Sequence, residues 1–150
     1  MNQELELLMN IALAVIIGGL VGLDRELQGK PAGLRTHMLV AGASALFAGL
    51  GTGLIGHFAD DTQLIRADPI RITEAILTGI SFLGAGTIIR MRGEPEVEGL
   101  TTAASQLFVA GLGIAVAINS YVLAAGGTIL VVIVLRVLKW LEQHLHQTVN

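Results

Sequence analysis

A dense run of charged side chains lies in residues 19–40, GLVGLDRELQGKPAGLRTHMLV, between two strongly apolar stretches. Its two acids, Asp24 and Glu26, carry the oxygen donors that Mg²⁺ prefers as ligands. Further acids in the segment RMRGEPEVEG, which are Glu94, Glu96 and Glu98, would complete such a site if the two segments lie on the same side of a membrane. The first chemistry that this run indicates is therefore binding of a hard cation.

The same run also fits a purely structural arrangement. Asp24 and Glu26 come at the end of an apolar helical stretch, where the helix dipole disfavours anions. Arg25, Lys30 and Arg35 are close enough to neutralise them if the segment QGKPAG forms a tight reversal, which its glycines and proline permit. Arg35 can form two parallel hydrogen bonds to a carboxylate. The residues alone leave a metal site and a salt-bridged hairpin both open.

Composition indicates the solvent of the elements that carry these residues. The chain is 53% hydrophobic and 14% charged, with a mean hydropathy of +0.71, which is far from the average soluble domain. Its 19 glycines are typical of packed membrane helices. Absence of cysteine excludes disulfides and thiolate chemistry. The lipid bilayer is thus the first expected partner, and no basic block indicates a nucleic acid partner.

Apolar stretches predict five membrane-spanning helices in a single domain, residues 1–150. A helix needs roughly 20 residues to cross the hydrocarbon core. The last apolar stretch is too long for one crossing, and Asn119 with Ser120 offers a turn near its middle. The predicted fold class is an all-α polytopic membrane bundle with spans at about 5–23, 36–58, 73–90, 100–118 and 121–138.

Basic residues predict the orientation of this bundle. An external amino terminus places seven of the nine basic residues on the cytoplasmic side, which leaves Arg66 and Arg71 outside. This asymmetry follows the excess of Lys and Arg in cytoplasmic loops. We therefore expect the carboxyl terminus in the cytoplasm, with the tail after residue 138 continuing the fifth helix.

Small residues predict where helices approach each other closely. Ala41, Ala45, Gly49 and Gly53 recur at every fourth position of the second span, as in small-xxx-small contacts. This spacing fits packing within one subunit, and it equally fits a homodimer.

Polar residues inside the spans have a structural and a functional interpretation. Thr102, Ser105 and Gln106 share one helical face and are expected to face the bundle interior, where they form interhelical hydrogen bonds or line a transport path. Asp68 before Pro69 is typical of a helix N-cap. His37 and His57 flank the second span and are expected to be interfacial polar residues.

Three segments carry a family resemblance. GGLVGLDRELQGKPAGLRTHMLV, DPIRITEAILTGISFLGAGTII and VEGLTTAAS together resemble the MgtC/SapB family of bacterial inner-membrane proteins, in the family's order and over about half of the chain. The resemblance assigns three functional motifs. They contain, in turn, Asp24, Arg25, Glu26, Arg35 and Thr36; Asp68, Arg71, Gly79, Gly84 and Gly86; and Gly99, Thr101, Thr102 and Ser105.

The resemblance implies a function that is not enzymatic. The family is associated with growth at low magnesium, acid stress and virulence, and some members are described as restraining the F-type ATP synthase. We therefore expect a regulator of other membrane proteins; the alternative is a permease for magnesium or another cation. Longer members carry a further cytoplasmic domain, so a short form is expected and that domain's functions are not carried over.

An enzyme is the third class, and the residues disfavour it. The chain has no Ser/His/Asp arrangement, no GxxxxGK[ST] phosphate loop and no HExxH metalloprotease motif. No cofactor is expected apart from Mg²⁺, for which Asp24 and Glu26 are the candidate ligands.

Overall fold

The computed structural model describes residues 2–58, 68–90 and 97–148. The expected all-helical architecture is confirmed, since five helices account for nearly all of this part of the chain. Their bounds are α1 Gln3–Leu27, α2 Leu34–Phe58, α3 Pro69–Ala85, α4 Leu100–Ala117 and α5 Tyr121–Thr148. Two short strands, β1 Ile89–Arg90 and β2 Val97–Glu98, pair antiparallel between α3 and α4.

Local chemistry explains where these helices start and stop. Gly29 has φ +64°, a conformation that glycine adopts without strain, and it lies in the reversal between α1 and α2. Asp68 accepts a hydrogen bond from the Ile70 amide at 2.9 Å, and Pro69 is the first residue of α3, so the expected N-cap is confirmed. Asn119 has φ +60° in the predicted turn between α4 and α5.

The core is built on α4, which contacts each of the other four helices. Small side chains such as Ala41 and Ala45 of α2 and Ala110 of α4 are fully buried there. Gly113 of α4 lies directly against the Ala41 carbonyl, so a side chain at that position would collide with backbone. Of the small-residue series in α2, Ala41 and Ala45 lie within the bundle, whereas Gly53 faces open space.

Three of the helices are long and apolar enough to cross a bilayer: Gln3–Leu27, Leu34–Leu54 and Leu100–Ala117. A shorter apolar helical stretch covers Tyr121–Val137. Large apolar side chains on the outside of the bundle, including Phe82 and Val122, are mostly exposed, as side chains that face lipid are. The chain is a membrane protein.

Candidate functional site

An ion pair between described residues lies at the carboxyl end of α1. Asp24 is only 4% exposed, and its Oδ1 accepts a hydrogen bond from Arg136 Nε of α5 at 2.7 Å. Its Oδ2 accepts a second one from Gln28 Nε2, also at 2.7 Å. Both oxygens of the buried carboxylate are therefore engaged, and the ion pair joins the first helix to the last. We call this side of the bundle the Asp24 end.

The partner of Asp24 corrects the expected salt-bridged hairpin. Arg35 is exposed on α2 and makes no ion pair with any described residue. Glu26 instead stabilises the reversal between α1 and α2, because its Oε2 accepts a hydrogen bond from the Leu34 backbone amide at 2.8 Å. Asp24 contacts α5 through Arg136, whereas Arg35 lies on the exposed face of α2. The arginine that neutralises the acid therefore comes from the far end of the sequence.

Arg25 is the second buried charge at the Asp24 end. It is 2% exposed, and its Nε has no hydrogen-bond partner among the described residues. The two acids beside it in sequence are engaged elsewhere, Asp24 with Arg136 and Glu26 with the Leu34 amide. A buried cation with an unsatisfied Nε is costly even where a carboxylate such as Asp24 attracts it, and such positions are typical of functional polar residues in membrane proteins.

His37, which was expected to be an interfacial polar residue, is buried at the contact between α2 and α4, in the first turn of α2. Its side chain is 0% exposed. The ring Nδ1 lies 2.8 Å from the Gly33 carbonyl oxygen, and Nε2 lies 2.9 Å from Ser105 Oγ. The side chain of His57, which was expected to be its counterpart, lies outside the described side chains. The spacing of His37 with Val40, Ala41 and Ser44 on the buried face of α2 is the sequence signal that identifies it.

The polar face of α4 is confirmed as an interior face. Thr102, Ser105 and Gln106 are all buried, at 1–2% exposure. Ser105 Oγ also donates to the Thr102 carbonyl at 2.8 Å. Gln106 Oε1 and, on the facing helix, Ser44 Oγ have no hydrogen-bond partner in the described part of the chain. This face therefore combines one interhelical hydrogen bond with unsatisfied polar atoms.

The three predicted motifs do not form one site. The first and third meet through the contact between His37 and Ser105, and Gly84 of the second packs against Ala103 of α4 nearby. Asp68 and Arg71 lie at the other end of α3, about 24 Å and about 20 Å from Gly84 at roughly 1.5 Å per helical residue. The remaining motif residues are placed as follows: Thr36 is half-buried, Gly79 is exposed on α3, Gly86 is exposed directly after α3, Gly99 is half-buried, and Thr101 is exposed.

A neutral polar cluster that the sequence did not predict lies at the opposite side, which we call the Asn10 end. Asn10 is 6% exposed, and its Nδ2 donates to Asn119 Oδ1 at 3.0 Å. The Tyr121 hydroxyl lies 3.0 Å from Asn10 Oδ1 and 2.6 Å from Asn119 Oδ1, and it can donate its one hydrogen to only one of them at a time. This cluster fixes α1 to the turn between α4 and α5.

Candidate metal ligands are not grouped in the described ranges. Among the side chains that the structure describes, there is no cluster of three or more from His, Cys, Asp or Glu. Of the two predicted ligands, Asp24 is paired with Arg136 and Gln28, and Glu26 bonds the Leu34 amide. Glu94 and Glu96, which were expected to complete the site, lie outside the described residues.

Sequence comparisons with known proteins identify relatives of this chain. A relative from Escherichia coli K12 named "Putative magnesium transporter YhiD" is 38% identical over 134 residues, which is 88% of this chain and 60% of the relative. "Protein SapB" of Bacillus subtilis is 33% identical over 90% of this chain and 57% of that protein. "Protein MgtC" of Salmonella typhimurium is 32% identical, over 93% and 55%.

These relatives are longer than the matched region, since the chain spans between 55% and 60% of the three proteins. No solved structure matches the chain significantly. The model of the MgtC family matches residues 11–144, which cover α2, α3 and α4, most of α1 and α5, and every residue of the three motifs. The chain therefore belongs to the MgtC family.

Proposed function

We propose that this chain is a multi-pass protein of the bacterial inner membrane that regulates other membrane proteins during adaptation to low magnesium or acid. In this proposal all five helices cross the bilayer, the amino terminus is external, and the Asp24 end faces the cytoplasm. Family membership supports the link to magnesium, because one relative is named as a putative magnesium transporter. The F-type ATP synthase is the partner that we propose to test first.

The observation that carries this proposal is the internal pairing of the acids in the first motif. A magnesium site needs carboxylate oxygens that are free to bind the ion. Asp24 has both oxygens occupied by Arg136 and Gln28, and Glu26 stabilises the hairpin. The acids of this motif thus serve to hold α1, α2 and α5 together, as a scaffold for contacts with other proteins requires.

A magnesium or other cation permease is the second candidate. The specific observation in its favour is the interior face between α2 and α4, where Ser44 Oγ and Gln106 Oε1 have no partner among the described residues. Polar groups that line a hydrated path take part of their hydrogen bonding from water or from the passing ion. The printed name of the Escherichia coli relative is consistent with this candidate.

Magnesium uptake into liposomes separates the two. Purified protein is reconstituted with an internal magnesium dye, beside protein-free vesicles and a Gln106→Leu variant that removes the unsatisfied amide. The regulator predicts uptake equal to that of empty vesicles. Saturable uptake that the variant loses would establish the permease and reject the regulator as the primary function.

The regulatory arm is tested in vesicles that contain the F-type ATP synthase. We expect the added protein to lower the rate of ATP synthesis, and we expect the Arg136→Ala variant, which unlinks α1 from α5, to do so less. Gly126→Ala, which also lies on α5, is the matched control, because a methyl group at Gly126 meets no atom within 4 Å. An unchanged rate would reject this partner.

A further inference from the structure

His37 has a hydrogen-bonding environment that is complete in two protonation states. The ring is fully enclosed by α2, α4 and the end of α1, where Gly22 lies so close that a Cβ there would be 2.9 Å from the His37 Cβ. The ring has a polar partner at each nitrogen: the Gly33 carbonyl oxygen at Nδ1 and Ser105 Oγ at Nε2. The Thr102 carbonyl oxygen in turn lies beside Ser105 Oγ.

The position of each hydrogen follows from which atoms can donate. The Gly33 carbonyl only accepts, so Nδ1 must carry a hydrogen at 2.8 Å from it. At Nε2 the partner is a hydroxyl, which both donates and accepts. In the neutral ring the Ser105 hydroxyl donates to Nε2. In the cationic ring Nε2–H donates to Ser105 Oγ, and the hydroxyl turns to donate to the Thr102 carbonyl, 2.8 Å away.

We propose that His37 and Ser105 form a proton-binding site between α2 and α4. In this site Nε2 takes up one proton from solvent, and the Ser105 hydroxyl rotates so that its oxygen accepts a hydrogen bond from the new Nε2–H. One N–H bond forms as an O–H bond of the donating hydronium ion breaks, and no bond between heavy atoms breaks. Serine at position 105 is the residue type that this exchange needs, because an apolar side chain would leave the buried Nε2–H without an acceptor.

Protonation of His37 would act electrostatically on the charged groups near the ring. Arg25 of α1 is close enough to act electrostatically on His37, and it is 2% exposed. Asp24 beside it is engaged by Arg136, and α4 contributes only the neutral Thr102, Ser105 and Gln106 to this contact. A protonated His37 thus places a second positive charge near Arg25, so occupancy of the site affects how α1 packs on α2.

Nitrogen NMR of ¹⁵N-histidine-labelled protein in lipid nanodiscs tests the site directly, because the shifts report which ring nitrogens carry hydrogen. The His37 signal is assigned by its loss in His37→Gln, and His57→Gln is the matched control that retains it. At alkaline pH we expect a neutral ring with hydrogen on Nδ1. On acidification we expect Nε2 to gain hydrogen while the backbone spectrum stays that of the folded protein.

Two variants at position 105 separate a proton site from simple packing. The Ser105 oxygen, as acceptor for Nε2–H, stabilises the charged ring more than the neutral one. Ser105→Ala removes this acceptor, so we expect the titration midpoint of His37 to move about one pH unit lower. Ser105→Thr keeps a hydroxyl, and its midpoint stays at the wild-type value.

Three results would overturn the proposal. They are a neutral ring with hydrogen on Nε2, an Nε2 that takes up no proton at any pH at which the protein stays folded, and a midpoint that Ser105→Ala leaves unchanged. The first two results can be obtained with the wild-type protein alone, so the proposal is tested even if Ser105→Ala does not fold.

Discussion

The two ends of the bundle hold the same helix by different chemistry. At the Asn10 end, α1 is joined to the α4–α5 turn by neutral hydrogen bonds among Asn10, Asn119 and Tyr121. At the Asp24 end, it is joined to α5 by the ion pair of Asp24 with Arg136, beside the buried Arg25. Both ends thus fix α1 against the same part of the chain, but only one depends on charge.

Packing differs between the two ends in the same direction. A Cβ on Gly22, near the Asp24 end, would lie 2.8 Å from the Leu34 Cα, so two backbones meet there. A Cβ on Gly49, near the Asn10 end, would meet only the side chain of Leu7. Flexible side-chain tips can move aside, whereas backbone cannot. The Asp24 end is therefore the rigid end, where a small change in sequence has a large effect.

The largest effect is expected from Gly22→Ala. The added methyl group collides with the Leu34 backbone, and we expect a loss of about 3 kcal/mol in the free energy of unfolding. Gly49→Ala, the matched change at the other end, should cost less than about 1 kcal/mol because Leu7 can shift. Denaturant titration in micelles measures both. Equal losses at the two positions would show that the ends are equally rigid.

Arg136→Ala is expected to rank second. It leaves the Asp24 carboxylate buried without a cation, which we expect to cost about 2 kcal/mol, less than for a fully buried pair because the Arg136 side chain is 61% exposed. The double variant with Asp24→Asn should be more stable than Arg136→Ala alone, since the uncompensated charge is gone. If the second change gave no recovery, the ion pair would not be what joins α1 to α5.

Asn10→Ala tests the neutral end. It removes hydrogen bonds to Asn119 and Tyr121, and we expect a loss of about 1 kcal/mol. Tyr121→Phe, which keeps the ring and removes only the hydroxyl, should cost about half as much. The same titrations measure both. A loss for Asn10→Ala above that for Arg136→Ala would reverse the proposed ranking of the two ends.

Glu26→Gln should have the smallest effect. The amide oxygen of glutamine can accept the Leu34 N–H bond that Glu26 Oε2 accepts, so we expect a change within about 0.5 kcal/mol. Glu26→Ala removes the acceptor and should cost about 1 kcal/mol. A large loss for Glu26→Gln would mean that the charge of Glu26, and not its hydrogen bond, stabilises the hairpin.

Local features of the sequence were enough to predict the five helices, but not all of their boundaries. The third span was expected at about 73–90, whereas α3 covers Pro69–Ala85 and β1 follows at Ile89–Arg90. Apolar stretches gave five helices, and Asp68 with Pro69 marked the start of α3 because capping involves neighbours in sequence. The glycines of QGKPAG marked the first reversal, and Asn119 marked the last turn. The interior face of α4 was also predictable, because polar residues at helical spacing in an apolar helix have only the bundle interior to face.

Partners distant in sequence could not be predicted. Arg25, Lys30 and Arg35 were all nearer to Asp24 along the chain than Arg136, and nothing local ranks one cation above another. His37 looked interfacial because it follows a charged loop, yet the rotation of α2 turns it inward. Each of these outcomes depends on how whole helices pack, and packing is decided by shape complementarity over many residues.

The ties at the two ends have a consequence for synthesis. The hydrogen bond from Asn10 to Asn119 spans 109 residues of sequence, and the one from Arg136 to Asp24 spans 112. Contacts of such long sequence separation form late, after the intervening chain is in place. The first helix is therefore made before Asp24 and Asn10 have their distant partners, with Asp24 hydrogen-bonded only locally to Gln28, and the last helix supplies the remaining contacts.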